Sequence, residues 1–189
     1  MTYFVIDVET IPLDMQLHAS LSEEDRKKLL NPIDSRIIAI GLRTKGKNII
    51  FQGEDEQALL FDFWKLWKEL KPNMLVRVVG FNLVDFDIPF LVARSFINDV
   101  AIVPFSVKEL LDLRDKINAY RYGHSRGKLK EYAVLLGLPV MDVDGSDVAR
   151  LWQDGQHELI RAYLERDLEI TDALYLRAVR LGIADISRF

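Results

Sequence analysis

The stretch Tyr3-Phe4-Val5-Ile6-Asp7-Val8-Glu9-Thr10 is a run of β-branched and aromatic residues that ends in two carboxylates. This composition favours a β-strand, and residues two apart on a strand project from the same face. We therefore expect Asp7 and Glu9 to point together from the end of a buried strand. Two neighbouring anions repel each other unless a cation lies between them, and hard divalent ions with oxygen ligands are the natural candidates. The alternative is that both acids are turn residues or a helix N-cap, and this strand alone does not decide between the two.

The length and composition indicate one globular domain spanning residues 1–189. Hydrophobic residues make up 49% and charged residues 29%, and there is no cysteine. We find no secretory signal and no apolar run near the roughly 20 residues that cross a bilayer, so we expect a cytoplasmic protein with no membrane association. The net charge of -4 argues against a protein that coats nucleic acid non-specifically, but it is compatible with an acidic active site beside a local basic patch.

Alternating strand and helix patterns predict the fold class. Further strands are expected at 36–43, 48–52 and 74–80, and helices at 56–70, 87–97, 129–136 and 158–181, with a short strand or helix near 110–113 and a short helix over 146–152. Residues 14–32 form an excursion with a capped helix. The order predicts an α/β protein with a mixed sheet of five to six strands and helices on both faces.

Two further acids lie where a ligand site is expected. Asp87 follows the fourth strand, at the carboxyl end where α/β sheets bind ligands. It could be only a helix cap, but that would leave Asn82 in the same loop unexplained. Asp167 shares a helix face with Tyr163 and lies on an apolar stripe, where an acid is costly unless it is paired or bound to a metal. Asp172, in contrast, is expected to be solvated.

Three motifs together resemble those of the DEDD exonuclease superfamily: Asp7-x-Glu9-Thr10, Asn82-x-x-x-Phe86-Asp87 and Tyr163-x-x-x-Asp167. The tyrosine four residues before the last acid is typical of the DEDDy branch, and Ala162 stands where the DEDDh branch has histidine. The chain is similar to the proofreading exonuclease domain of family B DNA polymerases, here as a stand-alone protein. The resemblance implies a ribonuclease H-like fold and removal of nucleotides from the 3′ end of single strands, with DNA favoured over RNA.

The resemblance also implies a role for each motif residue. Asp7, Glu9 and Asp167 would hold one Mg²⁺ or Mn²⁺ ion, and Asp7 with Asp87 would hold a second. Tyr163 would orient the attacking water. The terminal nucleotide would be positioned by Thr10, Asn82 and Phe86. A tyrosine with a pKa of about 10 is a poor base at neutral pH, which favours the orienting role.

Two other segments are candidates for contacts with partners. The stretch 114–130 concentrates cations and aromatic residues, which suits single-strand binding, and we assign Arg126 and Lys128 to the substrate. A solvated basic turn is the alternative. Asp112 or Asp115 could also approach the metal site. Ile186 and Phe189 in the C-terminal tail could dock a replication or repair protein, or pack back onto the domain.

Three competing functions remain open. A phosphohydrolase of the haloacid dehalogenase type also has an acid pair after a buried strand, but it expects aspartate where this chain has Glu9, and it gives Tyr163 no role. A ribonuclease H-like endonuclease or resolvase could share the fold and metals, but the motif of Tyr163 and Asp167 argues against it. A non-catalytic nucleic-acid-binding module would not require all four acids.

Overall fold

The computed structural model describes residues 2–71, 73, 75–121 and 126–188. A five-stranded sheet is formed by β1 (Tyr3–Pro12), β2 (Ser35–Thr44), β3 (Lys47–Gln52), β4 (Arg77–Gly80) and β5 (Leu110–Asp112). The strand order is β3-β2-β1-β4-β5. The pairs among β1, β2 and β3 are antiparallel, whereas β4 is parallel to both β1 and β5. The predicted mixed sheet is confirmed, with the lower of the two strand numbers expected.

Eight α-helices accompany the sheet in the described part of the chain: α1 (Met15–Ser20), α2 (Glu23–Lys28), α3 (Glu56–Leu70), α4 (Asp87–Ile97), α5 (Leu113–Ile117), α6 (Leu129–Leu135), α7 (Val148–Gln153) and α8 (His157–Arg180). None of the helices described combines the length and the apolar character that crossing a bilayer requires.

The alternation of β1 decides which residues face which helices. Phe4, Ile6 and Val8 belong to the core formed with α3 and α4. Val5 and Ile11 lie on the other face, in the cores formed with α7 and α8. Asp7 and Glu9 have the same parity as Val5 and Ile11, so they point toward the α8 side.

The segment between β1 and β2 is anchored by a buried ion pair. Arg94 Nη2 lies 2.6 Å from Glu56 Oε2, and both side chains are 7% exposed. Arg94 Nη1 donates to the Pro32 carbonyl at 3.1 Å, and Glu56 Oε1 accepts the Ile37 N–H at 2.7 Å. The pair therefore fixes the end of the excursion against the sheet, close to the carboxylates of β1.

A second polar network ties α8 to the sheet. Asp172 accepts hydrogen bonds from the Tyr3 hydroxyl at 2.5 Å and from Arg43 Nε at 2.9 Å. The expectation that Asp172 is solvated is therefore wrong, because two strands supply donors to it. Burial, followed by the hydrogen bond to Asp172, raises the pKa of Tyr3 well above its usual range.

Candidate active site

Asp7, Glu9 and Asp167 form a carboxylate cluster in which one oxygen from each lies within 4.8 Å of the others. β1 supplies the first two from adjacent positions on one face, and α8 supplies the third. The close approach of α8 is allowed by Gly41, which pairs with Asp7 across β1 and β2. A Cβ at Gly41 would lie 2.7 Å from Leu168 Cδ1 and 3.0 Å from Leu164 Cγ, so a larger residue there would displace these leucine side chains of α8.

The fourth acid, Asp87, comes from α4, which packs on the face of the sheet opposite to α8. It is the first residue of α4 and is only 2% exposed. Its Oδ1 accepts the backbone N–H of Val8 at 3.0 Å. That N–H is available because β4 pairs with β1 only over Tyr3–Val5. The Asp87 carboxyl is also hydrogen-bonded to the Asp7 side chain, so it does more than start a helix.

The Tyr163 side chain is hydrogen-bonded to Asp167, one helical turn further along α8. Burial, with the surrounding acids Glu9, Asp167 and Asp7, raises the pKa of Tyr163 well above its usual range. The phenol therefore stays protonated at any ordinary pH, and its O–H donates a hydrogen bond to the Asp167 carboxylate.

Burial disfavours the charged forms of all four acids, and repulsion by the other site acids adds to it for Asp7 and Glu9. Burial raises the pKa of Asp7 and of Glu9 well above their usual ranges, and neighbouring carboxylates add to the effect. Burial also raises the pKa of Asp87 to about 8 and that of Asp167 to about 6. A cluster of buried carboxylate oxygens is a fitting donor set for a hard divalent cation, because such an ion neutralises the charges that burial makes costly.

Among the described residues, Lys130 in the first turn of α6 supplies a positive charge that acts on Asp167 of this cluster. Its charge lowers the pKa of Asp167, against the larger effect of burial. Lys130 Nζ lies 3.6 Å from Asp144 Oδ1 in a partly exposed ion pair. The sequence places Lys130 in the basic stretch that suits single-strand binding, and its effect on Asp167 and its pairing with Asp144 were not predicted.

Asn82 is held by a network that the sequence interpretation missed. Asn82 has a left-handed backbone, with φ of 65°. Buried Asp112 accepts the N–H groups of Asn82 and Val84, each at 3.0 Å, and that of Arg114 at 2.9 Å. Arg114 Nη1 donates to Asn82 Oδ1 at 2.9 Å. Asp112 therefore shapes the loop before Asp87 and lies outside the carboxylate cluster. The available signal was its place between a strand and a helix, which is typical of a cap.

A cavity of about 200 Å³ opens onto the acids, and it contains two of the predicted substrate residues. Thr10 and Phe86 line it together with Asp7, Glu9, Tyr163 and Asp167. Val8, Gly145 and Leu30, the last from the excursion, complete the lining. Leu30 is 50% exposed, and no motif in the sequence pointed to it.

The basic loop is described only in part. Residues 122–125, which include Tyr122 and His124, lie outside the described residues. The Arg126 guanidinium is paired with Asp115 at 2.9 Å and with Asp85 at 3.1 Å. Lys128 is exposed and precedes α6, where its N–H donates to Glu131. Binding of substrate by Arg126 and Lys128 stays a prediction.

The C-terminal tail packs against the body over part of its length. A 3-10 turn at Ile183–Asp185 buries Ala184, and the Lys116 ammonium donates to the Ile186 carbonyl. Phe189 lies outside the described residues. Docking of a replication or repair protein by this tail stays a prediction.

Residues 35–184 match the profile of a family described as a predicted 3′-5′ exonuclease related to the exonuclease domain of PolB. An uncharacterized protein of Methanocaldococcus jannaschii is 34% identical over 167 residues, which cover 82% of this chain and 93% of that protein. A DNA polymerase of Archaeoglobus fulgidus is 27% identical over 190 residues, which cover 83% of this chain and 23% of the polymerase.

The structure of the family B DNA polymerase from Pyrobaculum calidifontis has the same fold over 96% of this chain, with a TM-score of 0.71 and 18% identity. This likeness confirms the ribonuclease H-like fold. The chain corresponds to 25% of that polymerase, and to a similar share of the Archaeoglobus enzyme. The family match begins at residue 35, so the assignment of Asp7 and Glu9 depends on their geometry beside Asp167 and Asp87.

Proposed function

Because the chain belongs to the family of predicted 3′-5′ exonucleases related to the exonuclease domain of PolB, we propose that it removes nucleotides one at a time from the 3′ end of single-stranded nucleic acid, with DNA preferred. In this reaction water adds to the terminal phosphorus, the bond from phosphorus to the 3′ oxygen breaks, and a nucleoside 5′-monophosphate leaves. The observation that carries the proposal is the meeting of Asp7, Glu9, Asp167 and Tyr163 at one cavity, with Asp87 hydrogen-bonded to Asp7.

The four acids are suited to hold two divalent ions, Mg²⁺ or Mn²⁺. Asp7, Glu9 and Asp167 would hold one, and Asp7 with Asp87 the other. Bound there, such ions activate water and stabilise the leaving oxygen of an in-line displacement. Site acids whose pKa is raised by burial would release their protons as metal binds, so binding should strengthen as pH rises.

The remaining residues of the cavity would position the substrate. Tyr163 keeps its proton, which is shared with Asp167, so it cannot act as a base, and its oxygen would accept a hydrogen bond from the attacking water and orient it. Phe86 and Leu30 offer apolar contacts to the terminal nucleotide, which do not depend on the identity of the base. Thr10 lines the same cavity, whereas Asn82 is not among its lining residues and is held by Arg114 in the loop before Asp87.

The proposal is tested with single-stranded DNA and RNA oligonucleotides of one sequence, labelled at the 5′ end and incubated with Mg²⁺, Mn²⁺ or EDTA. We expect a ladder that shortens from the 3′ end, faster on DNA, and no reaction in EDTA. Capping the 3′ end with a phosphorothioate linkage should block it. Products that form in EDTA, or that shorten from the 5′ end, would contradict the proposal.

The matched control is Asp7→Asn, which keeps the size of the side chain and removes its charge. Loss of metal stabilisation worth several kcal/mol lowers the rate on the order of a thousandfold. Circular single-stranded DNA and a small phosphomonoester serve as alternative substrates. Cleavage of the circle would favour the endonuclease, and turnover of the ester without oligonucleotide cleavage would favour the phosphohydrolase.

A further inference from the structure

A groove between α6 and α8 lies outside the cavity that the acids line. The α6/α8 groove has a volume of about 410 Å³ and is lined by Leu136, Leu138, Ala173, Leu176, Arg177 and Arg180. Leu176 is 54% exposed, and the neighbouring Val179 and Leu181 are 46% and 54% exposed. An apolar depression with a cationic border is thus open to solvent at this end of the molecule.

The two halves of α8 present different surfaces to solvent. In the first half, cations are balanced within the helix by the pairs Arg161–Glu165 at 3.3 Å and Arg166–Glu169 at 2.8 Å. In the second half, Arg177 and Arg180 are exposed, and no carboxylate among the described residues lies within ion-pair distance of either guanidinium. A solvated helix face explains the first half but not the second.

The helix dipole explains only one part of this arrangement. Arginines in the last turn of a helix are stabilised by the negative C-terminal end, which accounts for the sign of Arg177 and Arg180. It does not account for exposed Leu176 or for the apolar lining that partly exposed Leu136 and Leu138 add beside it. Apolar side chains grouped on a surface, rather than scattered singly, are typical of a protein-binding site.

We propose that the α6/α8 groove binds an acidic amphipathic helix of a partner protein. Apolar side chains of that helix would pack on Leu136, Leu138 and Leu176, and its carboxylates would pair with Arg177 and Arg180. The lining has no aromatic side chain on which a base could stack, which favours a peptide over single-stranded nucleic acid. The net charge of the chain is -4, so attraction of an acidic partner is a property of this surface and not of the whole molecule.

The position of the groove leaves the candidate active site accessible. Leu176 follows Asp167 by nine residues, which corresponds to about 14 Å along the axis and about two and a half turns. The two side chains therefore leave opposite sides of α8, Asp167 toward β1 and Leu176 toward solvent. A helix bound in the groove would hold the domain beside its partner without covering the acids.

The proposal is tested with a fluorescein-labelled synthetic helix in which leucines at i, i+3, i+4 and i+7 are separated by glutamates. A second peptide has lysine at every glutamate position. Fluorescence anisotropy with the full chain measures affinity, and amide chemical shifts locate the contact. We expect the acidic peptide to bind and to shift resonances of α6 and of the second half of α8. Leu176→Glu, or Arg177→Glu with Arg180→Glu, should weaken binding at least tenfold, and the double reversal should bind the lysine peptide instead.

The control variant is Phe96→Glu, which adds the same charge at a residue of α4 that is 88% exposed. It should bind the acidic peptide as the wild type does, and all variants should keep the wild-type nuclease rate. No binding of the acidic peptide, equal binding of both peptides, displacement by a single-stranded oligonucleotide, or sedimentation of the chain as a dimer through this face would each overturn the proposal. Nuclease activity is read separately, so its absence would count against the proposed reaction and not against the groove.

Discussion

Substitution of Tyr163 distinguishes a mechanism in which this residue is the general base from one in which it only orients water. Its pKa is raised far above the usual range, so it cannot act as a base, but its hydroxyl is hydrogen-bonded to Asp167. We expect Tyr163→Phe to lose about tenfold to a hundredfold in kcat, the value of a hydrogen bond to a charged group. The measurement is single-turnover cleavage of a DNA oligonucleotide in saturating Mg²⁺. A variant as inactive as Asp7→Asn would show that the hydroxyl does more than orient water.

Leu30 lines the cavity, although no pattern in the sequence predicted a role for it. Its side chain is half exposed at the cavity, and Pro32, two residues further along the chain, accepts a hydrogen bond from Arg94. We expect Leu30→Ala to lower kcat/KM about tenfold, because half of a leucine side chain would be buried by the terminal nucleotide. Ile33→Ala is the control, since Ile33 belongs to the same segment, is 71% exposed and does not line the cavity. Equal losses in the two variants would indicate a general effect on the segment.

At the scale of elements, α8 connects the site to the stability of the fold. Asp172, on this helix, binds Tyr3 of β1 and Arg43 of β2. We expect Asp172→Ala to lower the free energy of unfolding by about 2–3 kcal/mol, because a charged acceptor is removed from two largely buried donors. Urea denaturation checks this value. Glu169→Ala, which removes a half-exposed partner of Arg166, should change it by less than about 0.5 kcal/mol. A similar loss in both variants would contradict an anchoring role for Asp172.

The elements that sequence could predict are those with strong periodicity. The pattern of α3 gave its bounds, and alternation along β1 placed Asp7 and Glu9 on one face. The fourth strand was expected from residue 74 but is assigned only over Arg77–Gly80, and the segment near 110–113 is both a strand and a helix start. Short elements carry too few residues to show a period. The roles of Asp172 and Leu30, and the bonds of Asp112 to Asn82 and Val84, depend on contacts distant in sequence, which no local pattern encodes.

At the scale of the whole molecule, the site acids lower the stability of the fold that contains them. Burial raises the pKa of Asp87 to about 8 in the folded chain, whereas an exposed aspartate has a pKa near 4. Between these values the folded state holds a proton that the unfolded state has released, so the free energy of unfolding falls as pH rises. Asp7, Glu9 and Asp167 are shifted in the same direction and add to the effect.

We therefore expect the melting temperature in EDTA to fall between pH 5 and pH 8, and Mg²⁺ or Mn²⁺ to restore it most at the upper end, where the acids are ready to release their protons. Asp7→Asn should melt higher than the wild type in EDTA at pH 8 and should respond less to metal, because one repelling charge and one ligand are removed together. Asp147→Asn is the control. Asp147 is a partly exposed acid whose pKa is lowered, mainly because its carboxylate accepts a hydrogen bond from the Asp144 backbone. A wild-type melting temperature that rises with pH in EDTA, or an Asp7→Asn protein that metal stabilises as strongly as the wild type, would show that the four carboxylates do not act as one metal-binding unit.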